Sequence, residues 1–339
     1  MAIETPLSEK PTINRVPLYV NDGLLAPDEV KLLRPSYPSE PLEVLWKRYR
    51  EDGYIFLKGL LPREDVCSAR GSYFQRLQPC GVIDPDSDPR DGIFNASGGA
   101  KADYPGVGVE AGSGAPATSN EELFTELALK AHTDEWYIGS PDGKTPGLVN
   151  HPLLLQFVAD FTGWGDKTLP IRRTLLRNNT PGNKAIGVHY DQIFLRYGEP
   201  SVLTAWVPVG DIALDGGGLI YLEDGDQLGK QIESECTAKA KAAGLDDAEV
   251  RNAFNSQMMK TGWLSPDPAK FGRKHGRKWL VTAYEAGDVV LHSAYMIHAS
   301  TVNHDKEGRI RVGTDLRFVN SARPWDTRWS NHFTFTDGL

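Results

Sequence analysis

The chain has 339 residues, 40% of them hydrophobic, enough to bury a sizeable core in one large domain or two small ones. A formal charge of −8 and a pI near 5.6 provide no basic face for nucleic acid or an anionic membrane, so a small-molecule substrate is the expected partner and a homo-oligomer is allowed. Cys67, Cys80 and Cys236 form no C-x-x-C pair, no run reaches the roughly 18 apolar residues of a membrane span, and MAIETPLSEKPTINRVP lacks a signal-peptide layout, so the expectation is a cytoplasmic protein without disulfides.

Residues 1–39 are proline-rich and aperiodic, which predicts an extended arm on a single domain spanning 40–339. EPLEVLWKRYREDGY places Leu42, Leu45 and Tyr49 on one helical face and stops at Asp52-Gly53; YIFLKGLL then reads as a strand and LPREDVCSARGSYFQRL as a second helix. Between Pro79 and Asn120 the composition turns to Gly, Pro, Asp and Ser, a long loop of the kind that serves as a lid or binding loop. Within it GVGVEA (106–111) matches a dinucleotide fingerprint, but Pro105 precedes it and GSGAPATSN follows, so it lacks the strand and helix that fingerprint needs. Residues 121–138 predict a helix with Asn120 as N-cap, and HPLLLQFVADFTGW another, completing helical support over 40–165.

From 166 to 320 the texture is strands and turns: IRRTLLRNN, VHYDQIFLRYG, SVLTAWVPVGDI, GGLIYLED, KWLVTAYE, GDVVLHSA and RIRVGTDLRFVN. Without alternating helices these predict an antiparallel sandwich or barrel, interrupted by a helical insertion over 226–262 with Val250, Phe254 and Met258 in register. KFGRKHGRK (270–278) is the one dense basic run and reads as a solvated hairpin.

Two H-x-D pairs occur, His132/Asp134 and His189/Asp191. By chance a chain of this composition yields roughly half such a pair, so spacing alone decides nothing. On a helix, residues two apart diverge, which counts against His132/Asp134; on a strand they project the same way, about 6–7 Å apart at Cα, which favours His189/Asp191. A third donor is available in AGDVVLHSAYMIHASTVNH, as His292, His298 or His304; position favours His298, at the start of a strand and at a rim. Two histidines and one carboxylate leave half an octahedral shell open, as in non-haem Fe(II) oxygenases. Arg309, Arg311 and Arg317 share one strand face and supply two-pronged cations for a carboxylate.

Taken in order, H-x-D, a tryptophan strand, G-D-V-V-L-H followed by a histidine, and an arginine strand ending R-F resemble the phytanoyl-CoA dioxygenase family of Fe(II)/2-oxoglutarate oxygenases. EDGYIFLKGLLPREDV resembles that family's first strand and helix, so the likeness spans about residues 42–320. The resemblance implies a mostly β fold with flanking helices around a double-stranded β-helix, the jelly roll shared with cupins. It implies His189, Asp191 and His298 as iron ligands, Arg311 as the 2-oxoglutarate carboxylate binder with Arg309 as the lesser reading, and Trp206 and Ser300 as pocket lining. Fe(II), 2-oxoglutarate and O2 would then be required, with ascorbate as an optional reductant, and succinate and CO2 released. Halogenating relatives lack the carboxylate ligand, so Asp191 implies hydroxylation, desaturation or ring formation, on a small metabolite in keeping with a biosynthetic pathway. The alternatives are a cupin-like binding protein without turnover, which would not need Arg311, and a protein- or acyl-CoA-directed hydroxylase. Tyr190, Trp136 and Tyr137 are candidate pocket aromatics. The chain departs from the family at LEDGDQLG, where a P-G-S-H turn is common, and at Gly313, where serine is frequent; the 79–120 loop and 226–262 insertion are its own, and would set substrate choice.

Overall fold

The computed structural model describes residues 16–98, 104, 119–247, 249–250 and 263–334. The strands are β1 (Leu18–Val20), β2 (Gly23–Leu25), β3 (Val30–Leu32), β4 (Pro35–Ser36), β5 (Tyr54–Leu57), β6 (Thr168–Pro170), β7 (Leu175–Asn179), β8 (Leu203–Pro208), β9 (Leu219–Leu222), β10 (Trp279–Val281), β11 (Val289–Ser293), β12 (His298–Ser300) and β13 (Arg311–Asn320). The helices are α1 (Leu42–Asp52), α2 (Arg63–Leu77), α3 (Ser119–Lys130), α4 (Glu135–Ile138), α5 (Pro152–Thr162), α6 (Gly225–Ala242) and α7 (Pro268–His275).

Two facing sheets build the jelly roll. The larger runs β4-β5-β11-β8-β13-β6, with β7 also paired to β13, and the smaller runs β12-β9-β10-β3. Pairing is antiparallel except where β3 joins β10 and β4 joins β5. Alternation along the large sheet sorts its residues between two interiors. Ile55, Leu57, Ala205, Val207, Leu291, Val312 and Phe318 face the helices with Val66, Phe74 and Phe161. Tyr54, Phe56, Trp206 and Val290 face inward onto Leu219 and Tyr221 of the small sheet. Burial on both faces explains why the central strands read as unbroken apolar runs.

Several sequence expectations are refined. The arm over 16–39 contributes strands to both sheets, through β3 and β4. The helix expected over 121–138 starts at Ser119, so Asn120 lies inside its first turn rather than capping it. It then tightens to a 3-10 turn at Ala131–Thr133 and breaks at Asp134, whose ψ of 147° is extended. VHYDQIFLRYG is not a continuous strand: Val188 and His189 make single bridges to Ser265 and His298, and the chain then folds into a 3-10 turn at Asp191–Ile193. The basic run at 270–278 is the end of α7 and its exit, not a hairpin. Phe254, Met258 and the GVGVEA stretch lie outside the described residues. Among the described residues no helix is long and apolar enough to cross a membrane.

Candidate metal and cosubstrate site

His189 and His298 sit directly opposite one another. Each backbone N–H donates to the other's carbonyl, at 3.0 and 2.9 Å, which is the hydrogen-bonded pairing of antiparallel chains and sets the two side chains on the same face. Their rings therefore meet, with centroids 4.2 Å apart. In both, Nδ1 lies 2.9 Å from the carbonyl oxygen of the residue two before it, Gly187 for His189 and Met296 for His298. A carbonyl can only accept, so each Nδ1 carries a proton and Nε2 is the ring nitrogen left for a metal. Burial pushes the His189 imidazole down to about 3, so it is neutral at ordinary pH.

The 3-10 turn after Tyr190 brings the third donor round. Donor atoms of His189, Asp191 and His298 all lie within 4.8 Å of one another, and all three residues are buried. Thr204 Oγ1 donates to one oxygen of Asp191 at 2.5 Å, and Arg317 Nη2 donates to the other at 3.1 Å. Burial by itself would raise the Asp191 carboxyl; the Arg317 guanidinium and the neighbouring imidazoles overcome it and hold the group well below the usual carboxylate range. Two imidazoles held through Nδ1 and one ionised carboxylate, itself hydrogen-bonded, fit a divalent transition metal that keeps open positions.

The rival pair is structural. His132 Nδ1 bonds the Ala128 carbonyl at 3.0 Å and its Nε2 accepts from the Leu176 N–H at 3.0 Å, which leaves no donor for an ion. Asp134 pairs with Arg76. Of the other histidines, His304 lies tilted against Tyr19, whereas His292 lies beside the site with its ring 4.8 Å from that of His298. Its Nδ1 lies 3.2 Å from the Ser293 carbonyl, and its buried Nε2 has no partner.

The three arginines separate. Arg309 precedes β13, is partly exposed and pairs with Asp305 and Glu307. Arg311 and Arg317 both point into the jelly roll and are 3% exposed. Arg311 Nε donates to the Gly217 carbonyl at 2.9 Å, and its guanidinium lies 5.8 Å from the Trp206 ring. Burial draws the guanidinium down to about 10, still protonated at neutral pH. Trp206 lies flat across Gly313: a Cβ there would meet three indole atoms at 2.9–3.0 Å. A serine at 313 would require this tryptophan to shift. Ser300, buried on β12, accepts from the Ile186 N–H at 3.2 Å. Tyr137 belongs to the core, bonded to Thr174 and Thr314; Trp136 packs partly buried against it; and Tyr190 points to Glu233. Reading the sequence missed Thr204 and the pairing of Arg317 with Asp191, since neither has a spacing signature.

A jelly roll that brings two histidines and a carboxylate to one point, with a buried arginine further along, has the donor set of the mononuclear non-haem metal enzymes. The sequence model for phytanoyl-CoA dioxygenase (PhyH) matches residues 49–311, and the chain belongs to that family. It is an Fe(II)/2-oxoglutarate-dependent enzyme, using iron, 2-oxoglutarate and O2. No curated protein sequence matches the chain. Among solved structures it is similar to the alpha-ketoglutarate-dependent carbocyclase SnoK of nogalamycin biosynthesis, at 16% identity over 84% of this chain and 87% of that one, with a TM-score of 0.47. AviO1 from Streptomyces viridochromogenes Tue57 is 13% identical over 84% and 97% of the two chains, with a TM-score of 0.43. The epimerase SnoN, solved with Fe3+, alpha ketoglutarate and nogalamycin RO, is 17% identical over 82% and 83%, with a TM-score of 0.41.

Proposed function

We propose that His189, Asp191 and His298 hold the Fe(II), that Arg311 clamps the distal carboxylate of 2-oxoglutarate, and that the enzyme hydroxylates a small organic metabolite. The observation that carries this reading is the pair of carbonyl-locked imidazoles, whose donor atoms and that of Asp191 all lie within 4.8 Å of one another. When bound, the iron supplies the activation of O2 that couples 2-oxoglutarate decarboxylation to substrate oxidation.

The protein's own residues position and shield. Gly187 and Met296 hold the imidazole tautomers through their carbonyls, and Thr204 and Arg317 hold the carboxylate, so little reorganisation is needed on binding. Arg311 offers a planar, permanently charged donor whose Nε is already anchored to Gly217; its remaining N–H groups suit the two oxygens of a carboxylate. Trp206, over Gly313, gives that pocket a flat apolar wall, and Ser300 sits on the strand that carries His298. Asp191 fills the coordination place a halide would need, which supports hydroxylation over halogenation. The net charge of −8 supports a metabolite over an acyl-CoA, whose phosphates call for basic contacts.

Labelled 2-oxoglutarate incubated with protein, Fe(II) and ascorbate should release succinate. Bound iron without succinate, with or without candidate substrates, would overturn the oxygenase reading. His298→Ala should abolish stoichiometric Fe(II) binding while His132→Ala retains it; the reverse would move the metal to the other pair.

A further inference from the structure

Helix α6 opens the insertion where the family commonly has a P-G-S-H turn, and its first face is turned to the metal set. Gly225, Gly229 and Glu233 follow at intervals of four and so lie along one side of the helix. At Gly229 a Cβ would stand 2.1 Å from the Tyr295 carbonyl oxygen, and at Gly225 3.1 Å from that of Ile297. The helix backbone thus rests directly on residues 295–297, the segment that delivers His298. Just before that segment Ser293 Oγ donates to Asp226 of the helix, and within it the Ile297 carbonyl accepts from the Leu222 N–H of β9 at 2.9 Å.

One turn on, Glu233 reaches the other half of the donor set. Its carboxylate accepts from the Tyr190 hydroxyl at 2.7 Å and from both prongs of the Arg196 guanidinium, one of them at 2.9 Å. Arg196 Nε in turn donates to the Ile193 carbonyl at 3.2 Å. Tyr190 is the residue between His189 and Asp191, and Ile193 closes the turn that Asp191 begins. The contact is well enclosed, with side-chain exposures of 5% for Arg196 and 17% for Glu233. An enclosed ion pair adds little net stability, because desolvation offsets its attraction, so its two-pronged geometry bears on position more than on stability here.

We propose that α6 braces the metal centre, and that Glu233 is a positioning residue which holds the 189–193 turn against the 295–298 segment so that His189, Asp191 and His298 stay converged. The proposal rests on the assignment of those three residues as the metal ligands. The insertion therefore acts on iron binding as well as on whatever its remaining residues contact.

The test is anaerobic Co(II) binding by calorimetry and visible absorption, beside thermal melting of the metal-free protein. Glu233→Ala should weaken Co(II) affinity by about 10–100-fold, the usual effect of losing an outer-sphere partner, and shift the visible band as the ligand geometry loosens. Glu233→Gln, which still accepts from Tyr190, should restore part of the affinity. Glu235→Ala, on the exposed side of the same helix, should match wild type in both readouts. Where Glu233→Ala fails to fold, Tyr190→Phe removes a single hydroxyl and should weaken affinity in the same direction. Variants that melt lower yet keep the wild-type affinity and band would overturn the brace and leave α6 as packing. If His298→Ala binds Co(II) as well as wild type, the ligand assignment itself fails and the brace falls with it.

Discussion

Asp191 shows how much of this site is carried by single atoms. A buried carboxylate that touched only a metal would have one oxygen without a partner; here Thr204 and Arg317 each serve one oxygen. The two contributions differ in kind. Removing Arg317 would leave a buried charge uncompensated, a loss of about 3–5 kcal/mol that disturbs folding as well as function. Thr204→Val is nearly isosteric and removes one hydroxyl, so it isolates orientation from charge. It should weaken metal binding by about 10–100-fold and lower turnover, and cost the metal-free protein about 1–3 kcal/mol for the carboxylate oxygen left unpaired, less than the loss of Arg317, as read by Co(II) titration and melting in parallel. Wild-type affinity in this variant would show that Arg317 alone orients the carboxylate. Thr204 was illegible in the sequence because TAWVPV reads as an ordinary strand. Its role arises only when strand pairing sets it opposite Arg317 and beside Asp191.

At the scale of elements, the N-terminal arm illustrates what periodicity cannot show. β3 lies at the outer edge of the small sheet beside β10, and β4 at the outer edge of the large sheet beside β5, so one short segment covers an edge of each. Deleting residues 1–39 should therefore uncover β10 and β5 together and produce association through open strand edges, seen as concentration-dependent light scattering. A monodisperse truncated protein with unchanged melting would show that the edges need no cover. Strands of two or three residues bonded to distant partners carry no alternation to detect, which is why β3 and β4 read as an aperiodic arm. The core strands and α2 were legible because length and burial pattern agree in them; of the face expected in α1, Leu45 is buried and Tyr49 half-buried, but Leu42 is exposed. The H-x-D segment was legible for a partly different reason than alternation supplied: His189 is extended and bridged, but Asp191 reaches the same point through a 3-10 turn. Spacing found the residues, and the turn supplies the geometry. Glu233 belongs to the part that remained hidden, since its partners lie 37 and 43 positions earlier in the chain.

Across the whole molecule, buried imidazoles make stability depend on pH in one direction. Burial pushes His132 and His292 down to about 4 and His189 to about 3, whereas in the unfolded chain each returns to about 6.5. Above about pH 6.5 neither state carries these protons and the histidines contribute no pH dependence. As pH falls below that value the unfolded chain takes up protons that the folded chain refuses, so stability is lost, by up to about 1.4 kcal/mol per histidine per pH unit. The loss levels off near about pH 4, where the folded state also begins to protonate, and carboxylates such as Asp191 and Asp315, held low in the fold, take over the decline. Melting temperatures of the metal-free protein should thus fall steeply from about pH 6.5 to about pH 4. His132 offers a clean check because it stands apart from the metal set and bonds only backbone groups, the Ala128 carbonyl and the Leu176 N–H. A glutamine there can keep a donor and an acceptor but cannot titrate, so His132→Gln should be less stable at neutral pH, by about 1–3 kcal/mol if either bond is lost, yet show a shallower acid slope. An unchanged slope in that variant would mean that His132 is already protonated in the fold, and that its Nε2 does not accept from Leu176.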